Sequence, residues 1–117
     1  MMEIFNIKDI KAVEIIPGFI GRLVHTHELT IAYREIDKGS ILPLHHHVHT
    51  QTTQVTQGEL ELTISDITRI FRPGELVVIP SNTPHSGKAL LYCTAIDTFT
   101  PVREDYKKLS DPIKEPS

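Results

Sequence analysis

The sequence predicts an all-β protein, and three observations support that prediction. Short runs of Ile, Val, Leu and Thr recur along the 117 residues. Gly, Pro, Asp and Asn interrupt these runs at the intervals expected between the strands of a sandwich or barrel. Long stretches with the apolar periodicity of a helix are missing. We therefore expect one domain over residues 1–117, with a barrel core over about 11–100 and a short polar tail over about 101–117.

The first part of this core is predicted to hold three short strands and one long strand. The runs at 11–16 and 19–25 flank a Pro-Gly turn, and a third run covers 29–36. Asp-Lys-Gly then ends the third run, which is a typical turn composition. A long fourth strand is predicted over about 44–57, where Gly58 opens the next turn.

The second part is predicted to add four more strands. Apolar and polar residues alternate at 59–65, which indicates a half-buried strand, and a further strand covers 67–71. The run at 75–79 is apolar from Leu76 onward, which predicts a strand covered on both faces. A Pro-rich loop follows at 80–84, and one long strand is predicted over 88–100.

The last predicted strand changes character along one face. That face carries, in order, Ala89, Leu91, Cys93, Ala95, Asp97 and Phe99. An acidic residue after small apolar ones indicates either a strand that enters a polar cavity or a strand end that faces solvent. Beyond this strand the tail is polar, with one or two helical turns expected around 103–109 and frayed final residues.

The densest group of possible metal ligands lies on alternate residues of the long fourth strand. His45, His47, His49 and Gln51 share one face if that strand is regular. Three imidazoles on one face indicate a cation, and a rigid site needs a further ligand from another strand. His85, after an apolar run and a Pro-rich turn, is the candidate, so the predicted ligands are His45, His47, Gln51 and His85. The alternative is a solvated patch of surface histidines.

Two other reactive groups are interpreted as structural. A second His-x-His pair, His25 and His27, lacks the Gly and Pro residues that frame the first pair. Cys93 is the single cysteine, so it cannot form an internal disulfide, and its apolar strand pattern favours a buried filler over a nucleophile.

Composition and charge exclude several classes of partner. The net charge is −3, and acidic and basic residues are interspersed without a basic stripe, which argues against nucleic-acid binding. Charges interrupt every apolar window near the N-terminus, and no apolar run reaches bilayer length. We therefore expect a cytoplasmic protein that contacts neither nucleic acid nor membrane.

Two segments resemble the paired motifs of the cupin superfamily. Residues 39–58 follow G-x5-H-x-H-x3,4-E-x6-G, with Gln51 in place of the usual Glu. Residues 74–89 follow G-x5-P-x-G-x2-H-x3-N, with Asn82 in place of Gly and Ala89 in place of Asn. The resemblance implies a small jelly-roll β-barrel with a metal ion inside its mouth. It also implies a homodimer, because cupins commonly dimerise.

A narrower likeness concerns the segments PLHHHVHTQ and DTFTPVRED. They resemble KdgF-type cupins of pectin and alginate breakdown, in which His, His, Gln and His hold the metal. The likeness implies the ligands already proposed and a pocket lined by Asp97, Phe99 and Arg103. The implied reaction converts a cyclic 4,5-unsaturated uronate into a linear 4-deoxy-5-keto-uronate.

Each of these residues then acquires an expected role. The neutral amide of Gln51 leaves the ion its full charge, which favours an anionic sugar acid, and Arg103 can bind a carboxylate through two hydrogen bonds. Asp97 is expected to carry the proton, Phe99 to pack on the sugar ring and His49 to line the pocket. As alternatives, Phe99 is a core residue and Arg103 forms a surface ion pair. The cofactor is one divalent transition metal, and Zn, Ni, Fe and Mn remain open.

Two other functions remain open from the sequence. A cupin dioxygenase would use the same ligands but benefits from a carboxylate beside the metal, which Gln51 does not supply. A sugar-binding sensor without catalysis would need only the barrel and the pocket. Fold alone does not choose among these functions.

Overall fold

The computed structural model describes residues 2–110, and within that range the chain forms ten β-strands, a 3-10 helix and one α-helix. The strands are β1 (Val13–Ile16), β2 (Phe19–His25), β3 (Thr30–Ile36), β4 (Ile41–His45), β5 (Thr50–Gln57), β6 (Leu60–Ile64), β7 (Ile67–Phe71), β8 (Leu76–Ile79), β9 (His85–Ala89) and β10 (Cys93–Thr100). The 3-10 helix is Ile7–Asp9, and helix α1 is Glu104–Ser110.

The strands form two antiparallel sheets that pack as a jelly-roll barrel. The six-stranded sheet has the order β1-β2-β3-β10-β5-β8, and the four-stranded sheet has the order β4-β9-β6-β7. Burial alternates strictly along β3 and β10, the two central strands of the larger sheet, so every second side chain points into the barrel. The all-β prediction is confirmed.

The barrel interior has an apolar part and a polar part. A cluster of buried apolar side chains joins both sheets and consists of Phe19, Ile36, Val55, Leu60, Leu62, Phe71, Ala89 and Cys93. A second buried group contains Leu23, Ala32, Phe99 and Tyr106 and includes the residue that α1 contributes. The interior side chains of β10 pass from the first group to the second, and Asp97 lies between Ala95 and Phe99.

The predicted long strand over 44–57 is wrong, because the chain leaves one sheet there and enters the other. Strand β4 ends at His45 in the smaller sheet, and β5 begins at Thr50 in the larger sheet. The pairing of β4 with β9 is also irregular between Leu42 and His45. The histidines on alternate residues therefore do not share the face of one regular strand.

The predicted strand over 88–100 is wrong for the same reason. Strand β9 belongs to the smaller sheet and β10 to the larger one, and a bend at residues 90–92 joins them. Leu91, predicted to share a face with Ala89 and Cys93, is exposed, whereas those two residues are buried. A Cβ atom on Gly58, whose φ is +81°, would lie 2.1 Å from the carbonyl oxygen of Tyr92, so glycine allows the close approach of this bend.

Strand β8 also differs from its prediction. It lies at the edge of the larger sheet, and Leu76 and Val78 are 54% and 55% exposed. One face of β8 is therefore open to solvent, and the strand is not covered on both faces. A continuous apolar run cannot by itself distinguish a covered strand from an edge strand with an apolar outer face.

Helix α1 forms where one or two helical turns were predicted, but the segment is not uniformly polar. Tyr106 and Arg103 are buried, and α1 contacts β1 and β2. The fraying predicted for the final residues concerns 111–117, which lie outside the described residues. No helix between residues 2 and 110 has the length and apolar character needed to cross a membrane.

Candidate metal centre and pocket

Three imidazoles converge inside the barrel. His45 ends β4, His85 begins β9, and the two residues are directly paired across the smaller sheet. His47 lies in the segment that crosses between the sheets. One nitrogen of each ring lies within 4.8 Å of the others, and the ring centroids of His45 and His85 are 4.2 Å apart.

Hydrogen bonds to the backbone fix the tautomers of these rings. Each Nδ1 faces a carbonyl oxygen two residues away along the chain, at 2.8 Å for His45 and His85 and at 3.0 Å for His47. A carbonyl oxygen only accepts, so Nδ1 carries the hydrogen and donates it. The lone pair of each ring then lies on Nε2, as in histidines that bind metal ions.

The Nε2 atom of His85 shows that this group suits a cation. The residue is only 1% exposed, and this nitrogen is buried without a hydrogen-bond partner among the described residues. Burial lowers the pKa of His85, so the ring stays neutral at neutral pH and its lone pair faces the barrel interior. A divalent ion would satisfy this acceptor.

Gln51 brings an amide oxygen to the same group from the start of β5. Its Nε2 donates to Thr53 Oγ1 at 2.9 Å, and this bond turns Oε1 toward His47 Nε2, 3.1 Å away. With the tautomer described above, both atoms of the 3.1 Å contact are acceptors. Burial and the nearby Arg103 charge lower the pKa of His47 to about 4, so a proton does not fill this contact at neutral pH. A metal ion bound by both atoms would offset the repulsion between these two acceptors.

The second motif supports this arrangement despite its two unusual residues. Asn82 has a φ of 60°, a left-handed conformation that asparagine adopts more readily than most residues, so it can replace glycine. Its backbone N–H donates to the carbonyl of His47 at 2.7 Å and ties the loop before β9 to the ligand segment. Ala89 is fully buried at the end of β9.

The other histidines lie outside the converging group. The ring of His49 is 5.4 Å from that of His47 and 6.4 Å from that of Phe99, so it borders the site. Its Nδ1 is buried without a hydrogen-bond partner in the described part of the chain. His46 is exposed, and His25 is 2.8 Å from Thr30 Oγ1 through Nδ1. Among residues 2–110, neither His25 nor His27 belongs to the group of converging imidazoles.

Asp97 faces the opposite side of the interior and is 3% exposed, so the solvent-facing alternative is wrong. Its Oδ2 accepts a hydrogen bond from Arg34 Nε, and Arg34 Nη2 donates to the Tyr106 hydroxyl at 3.0 Å. Burial would lower the pKa of Arg34, but the Asp97 carboxylate and Tyr106 outweigh burial and raise it. Asp97 Oδ1 is buried and has no partner among residues 2–110.

Arg103 is held between α1 and the end of β10. Its backbone N–H donates to Thr30 Oγ1 at 2.9 Å, and its guanidinium donates to both Asp105 oxygens at 2.9 and 2.7 Å. The guanidinium carbon lies 3.8 Å from the ring centroid of Tyr106 and 4.8 Å from that of Phe99. Hydrogen bonding from Arg103 lowers the pKa of Asp105. Arg103 does form the ion pair that the alternative describes, with the exposed Asp105, but the Arg103 side chain itself is buried.

Most of these side chains line a cavity of about 40 Å³, together with apolar side chains of the core, while His47 and the exposed Asp105 lie beside the lining. We call one side the imidazole flank, which consists of His45, His47, His85 and Gln51. We call the other side the ionic flank, which consists of Arg34, Asp97, Arg103, Asp105 and Tyr106. Phe99 is buried beside both flanks, and its ring contacts His47 at one edge and Tyr106 at another.

Three members of the ionic flank, Arg34, Asp105 and Tyr106, are not predicted from the sequence. Strand parity alone does not say whether Arg34, Tyr33 or Arg22 faces the barrel interior. The structure turns Arg34 inward, in phase with Thr30 and Ala32, whereas Arg22 pairs with Glu35 on the outer face at 3.1 Å. Tyr106 lies in a tail whose polar composition predicts exposure. An aromatic residue in a polar helix was the available signal.

Comparisons with known proteins agree with this description. A family profile described as Cupin domain matches residues 32–90, which is half of the chain. A search of curated proteins finds no match to this chain. The structure of KdgF from Halomonas sp. superposes with a TM-score of 0.85 at 28% identity and covers 91% of this chain and 99% of that chain. An RmlC-like cupin from Shewanella frigidimarina gives 0.85 at 24% identity, over 91% of this chain and 96% of the other. A variant of oxalate decarboxylase from Bacillus subtilis gives 0.73 at 23% identity, over 83% of this chain and 29% of the other. The last two show the fold alone, and the profile match establishes that this chain belongs to the cupin family.

Proposed function

We propose that this cupin converts cyclic 4,5-unsaturated uronates into linear 4-deoxy-5-keto-uronates. The observation that carries the proposal is the Oδ1 atom of Asp97, a buried acceptor without a partner among the described residues. It belongs to a cavity that His45, His85 and Arg103 also line. The likeness to the Halomonas protein named KdgF supports the choice of substrate.

The reaction moves one proton and rearranges bonds without any external oxidant or reductant. The anomeric hydroxyl loses a proton, the bond between the anomeric carbon and the ring oxygen breaks, and an aldehyde forms. The ring oxygen becomes the oxygen of an enolate at carbon 5, and protonation of carbon 4 converts this enolate to a ketone. Asp97 Oδ1 would accept the first proton and return it to carbon 4.

His45, His47, His85 and the amide oxygen of Gln51 would hold a divalent ion. When bound, the ion supplies Lewis acidity that holds substrate oxygens and stabilises negative charge. Because Gln51 is neutral, these four ligands leave the positive charge of the site uncompensated, which favours an anionic substrate. His49 borders this group and would contact the substrate at the edge of the pocket.

Arg103 would bind the substrate carboxylate. Its guanidinium already makes two hydrogen bonds to the carboxylate of Asp105, so a carboxylate fits its geometry. The Asp105 side chain is largely exposed and can move into solvent when a substrate carboxylate replaces it. Phe99, which lies under Arg103, would pack against the sugar ring.

Entry of a sugar acid requires the pocket to open. A six-carbon acid is larger than the cavity of about 40 Å³. Tyr106 fills one side of this cavity from α1, which has seven residues and is not woven into either sheet. A helix this short is marginal by itself. We expect α1 to move outward when substrate binds, and Tyr106 to move with it.

The experiment follows ring opening directly. Purified protein, supplied in turn with Zn, Ni, Fe or Mn, is mixed with freshly prepared unsaturated galacturonate, and loss of the ultraviolet absorbance of the conjugated double bond is recorded. We expect a rate well above that of buffer containing the same metal. A rate equal to that of the buffer would refute the proposal. Saturable binding of galacturonate without turnover would then indicate a sensor.

A dioxygenase is less well supported. Among the described residues the converging group consists of imidazoles and contains no carboxylate. Oxygen consumption during the same assay would identify this class.

We also propose that the protein forms a homodimer through the outer face of β8. This strand is at a sheet edge, and its outward side chains Leu76 and Val78 are apolar and exposed. Exposed apolar edge strands favour pairing with another chain. Light scattering of Val78→Lys against the unaltered protein tests this, and an unchanged mass would exclude the β8 face. The predicted cytoplasmic location remains a prediction.

A further inference from the structure

Arg34 lies at the centre of the ionic flank and contacts the proposed proton carrier directly. We propose that Arg34 is a positioning residue for the reaction, which holds Asp97 so that one carboxylate oxygen remains available inside the cavity. This inference rests on the proposed function, because it assigns Arg34 a task in the same chemistry.

The two oxygens of Asp97 have different surroundings. Oδ2 accepts the hydrogen bond from Arg34 Nε, and the two side chains are only 5% and 9% exposed. Oδ1 is buried and has no hydrogen-bond partner within residues 2–110. One oxygen is thus fixed, and the other is left to exchange a proton with a substrate. A buried carboxylate also needs a cationic partner, and Arg34 supplies it.

The shape of the guanidinium matters as well as its charge. Arg34 uses Nε toward Asp97 and Nη2 toward the Tyr106 hydroxyl, 3.0 Å away. These donors belong to one rigid plane, so the position of Asp97 is tied to the place where α1 packs. If α1 moves outward to admit substrate, the bond to Tyr106 is lost but the bond to Asp97 can remain. Asp97 would then stay oriented while the cavity is open.

The two buried arginines therefore have different tasks. The guanidinium of Arg103 is paired with an exposed carboxylate that a substrate can replace. The partners of Arg34, Asp97 and Tyr106, are both buried. Arg103 is suited to bind a carboxylate from outside, and Arg34 is suited to hold one that belongs to the protein.

A double-mutant cycle separates these roles. Arg34→Met and Asp97→Asn are made singly and together, and Arg22→Met serves as the matched control, because Arg22 pairs with Glu35 on the outer face of the neighbouring strand. We expect Arg34→Met to lower kcat about 100-fold, within the range of a lost acid-base group, with KM changed less than about 3-fold. Added to Asp97→Asn, it should lower kcat by less than about 3-fold further, because both changes remove the same function. Arg22→Met should retain the original kcat.

Two results would overturn the inference while the unaltered enzyme remains active. The first is a full multiplicative loss in the double variant, which would give Arg34 a task independent of Asp97. The second is a loss confined to KM, with calorimetric binding of galacturonate weakened as in Arg103→Met, which would make Arg34 a substrate ligand. If the unaltered protein shows no turnover, the proposed function itself fails, and this outcome is distinct from both.

A second variant and a second measurement cover a failure to fold. Arg34→Lys keeps the charge but cannot present two fixed donors, so we expect a folded protein with kcat reduced about 10-fold. Unreduced kcat in this variant would contradict the positioning role. In thermal unfolding, Arg34→Met should lower Tm more than the Arg34→Met/Asp97→Asn pair does, because the single change leaves a buried carboxylate unpaired. A pair less stable than Arg34→Met would argue against a direct coupling of these side chains.

Discussion

The two flanks of the cavity differ in how their polar groups are satisfied. On the imidazole flank, the outward nitrogen of each ring is hydrogen-bonded to backbone, and the inward Nε2 of His85 has no partner among residues 2–110. On the ionic flank the charges pair with each other, Arg34 with Asp97 and Arg103 with Asp105. An ion would complete the first flank. The second is already complete except at one carboxylate oxygen, so the proposed substrate would have to replace a contact that the protein makes with itself.

The flanks also differ in where their residues originate. The imidazoles come from the paired ends of β4 and β9 and from the segment between the sheets, and backbone carbonyls close in sequence orient them. The ionic flank joins β3, β10 and α1 through side-chain contacts. We therefore expect local consequences from changes on the imidazole flank and wider ones from changes on the ionic flank.

The largest expected effect is loss of metal from His85→Ala. Whichever metal binds, this change removes one of its three imidazole ligands. We therefore expect metal content to fall from about one ion per chain to near zero after dialysis. Plasma emission spectrometry measures this. His46→Ala is the matched control, since His46 belongs to the same His-rich segment but is exposed. Equal retention of metal by both variants would show that the converging imidazoles do not form the site.

A large effect on turnover, without an effect on metal, is expected from Asp97→Asn. The amide keeps the size of the side chain but cannot accept the proton, so kcat should fall at least about 100-fold. Metal content should match that of the unaltered protein, because Asp97 belongs to the other flank. Activity close to the original would remove Asp97 from the proposed mechanism.

A smaller effect is expected when the charge of the imidazole flank is changed. Gln51→Glu adds a negative charge beside the proposed ion, and we expect galacturonate to bind about 10-fold more weakly, equivalent to about 1.4 kcal/mol. Titration calorimetry measures this, with neutral galactose as the control ligand. Unchanged galacturonate affinity would contradict the idea that a neutral ligand makes the site attractive to anions.

The smallest effect concerns Asp105 and stability. Arg103 lowers the pKa of Asp105 below the ordinary value of 3.8, so the ion pair stabilises the folded protein above that pH and loses this contribution as the pH falls below it. The Asp105 side chain is 60% exposed, so Asp105→Asn should reduce the free energy of unfolding by less than about 1 kcal/mol at neutral pH. Urea titrations at decreasing pH should show the two proteins converging. A difference that grows in acid would contradict the stated sign.

Much of the fold and the identity of the converging imidazoles could be predicted from residue pattern and motif spacing. The prediction of the ligands rested partly on a regular strand that would place His45 and His47 on one face. That strand is not formed. The chain leaves β4 at His45, and the convergence comes from a crossing between sheets. The motif spacing therefore predicted which histidines converge. The alternation of residues could not predict the backbone path that brings them together.

Other features were hidden for physical reasons. The bend at Leu90–Tyr92 contains neither Gly nor Pro, so nothing in that segment marks the end of β9. What permits the bend is Gly58, which is distant in sequence. Arg34 was ambiguous because strand parity defines two faces without saying which is inside, and its inward position depends on Asp97, 63 residues away.

The hydrogen bonds that orient the imidazoles join residues close together in the chain, and this has a consequence for how the site would take up an ion. Each carbonyl acceptor belongs to a residue two places along the chain, so ring orientation is set by local backbone rather than by the ion. A chelator should then withdraw the metal and leave a folded, receptive barrel, with little entropy lost when an ion returns. Which metal occupies the site would then follow from which metals are available, and one purified batch could be reloaded with several metals in succession.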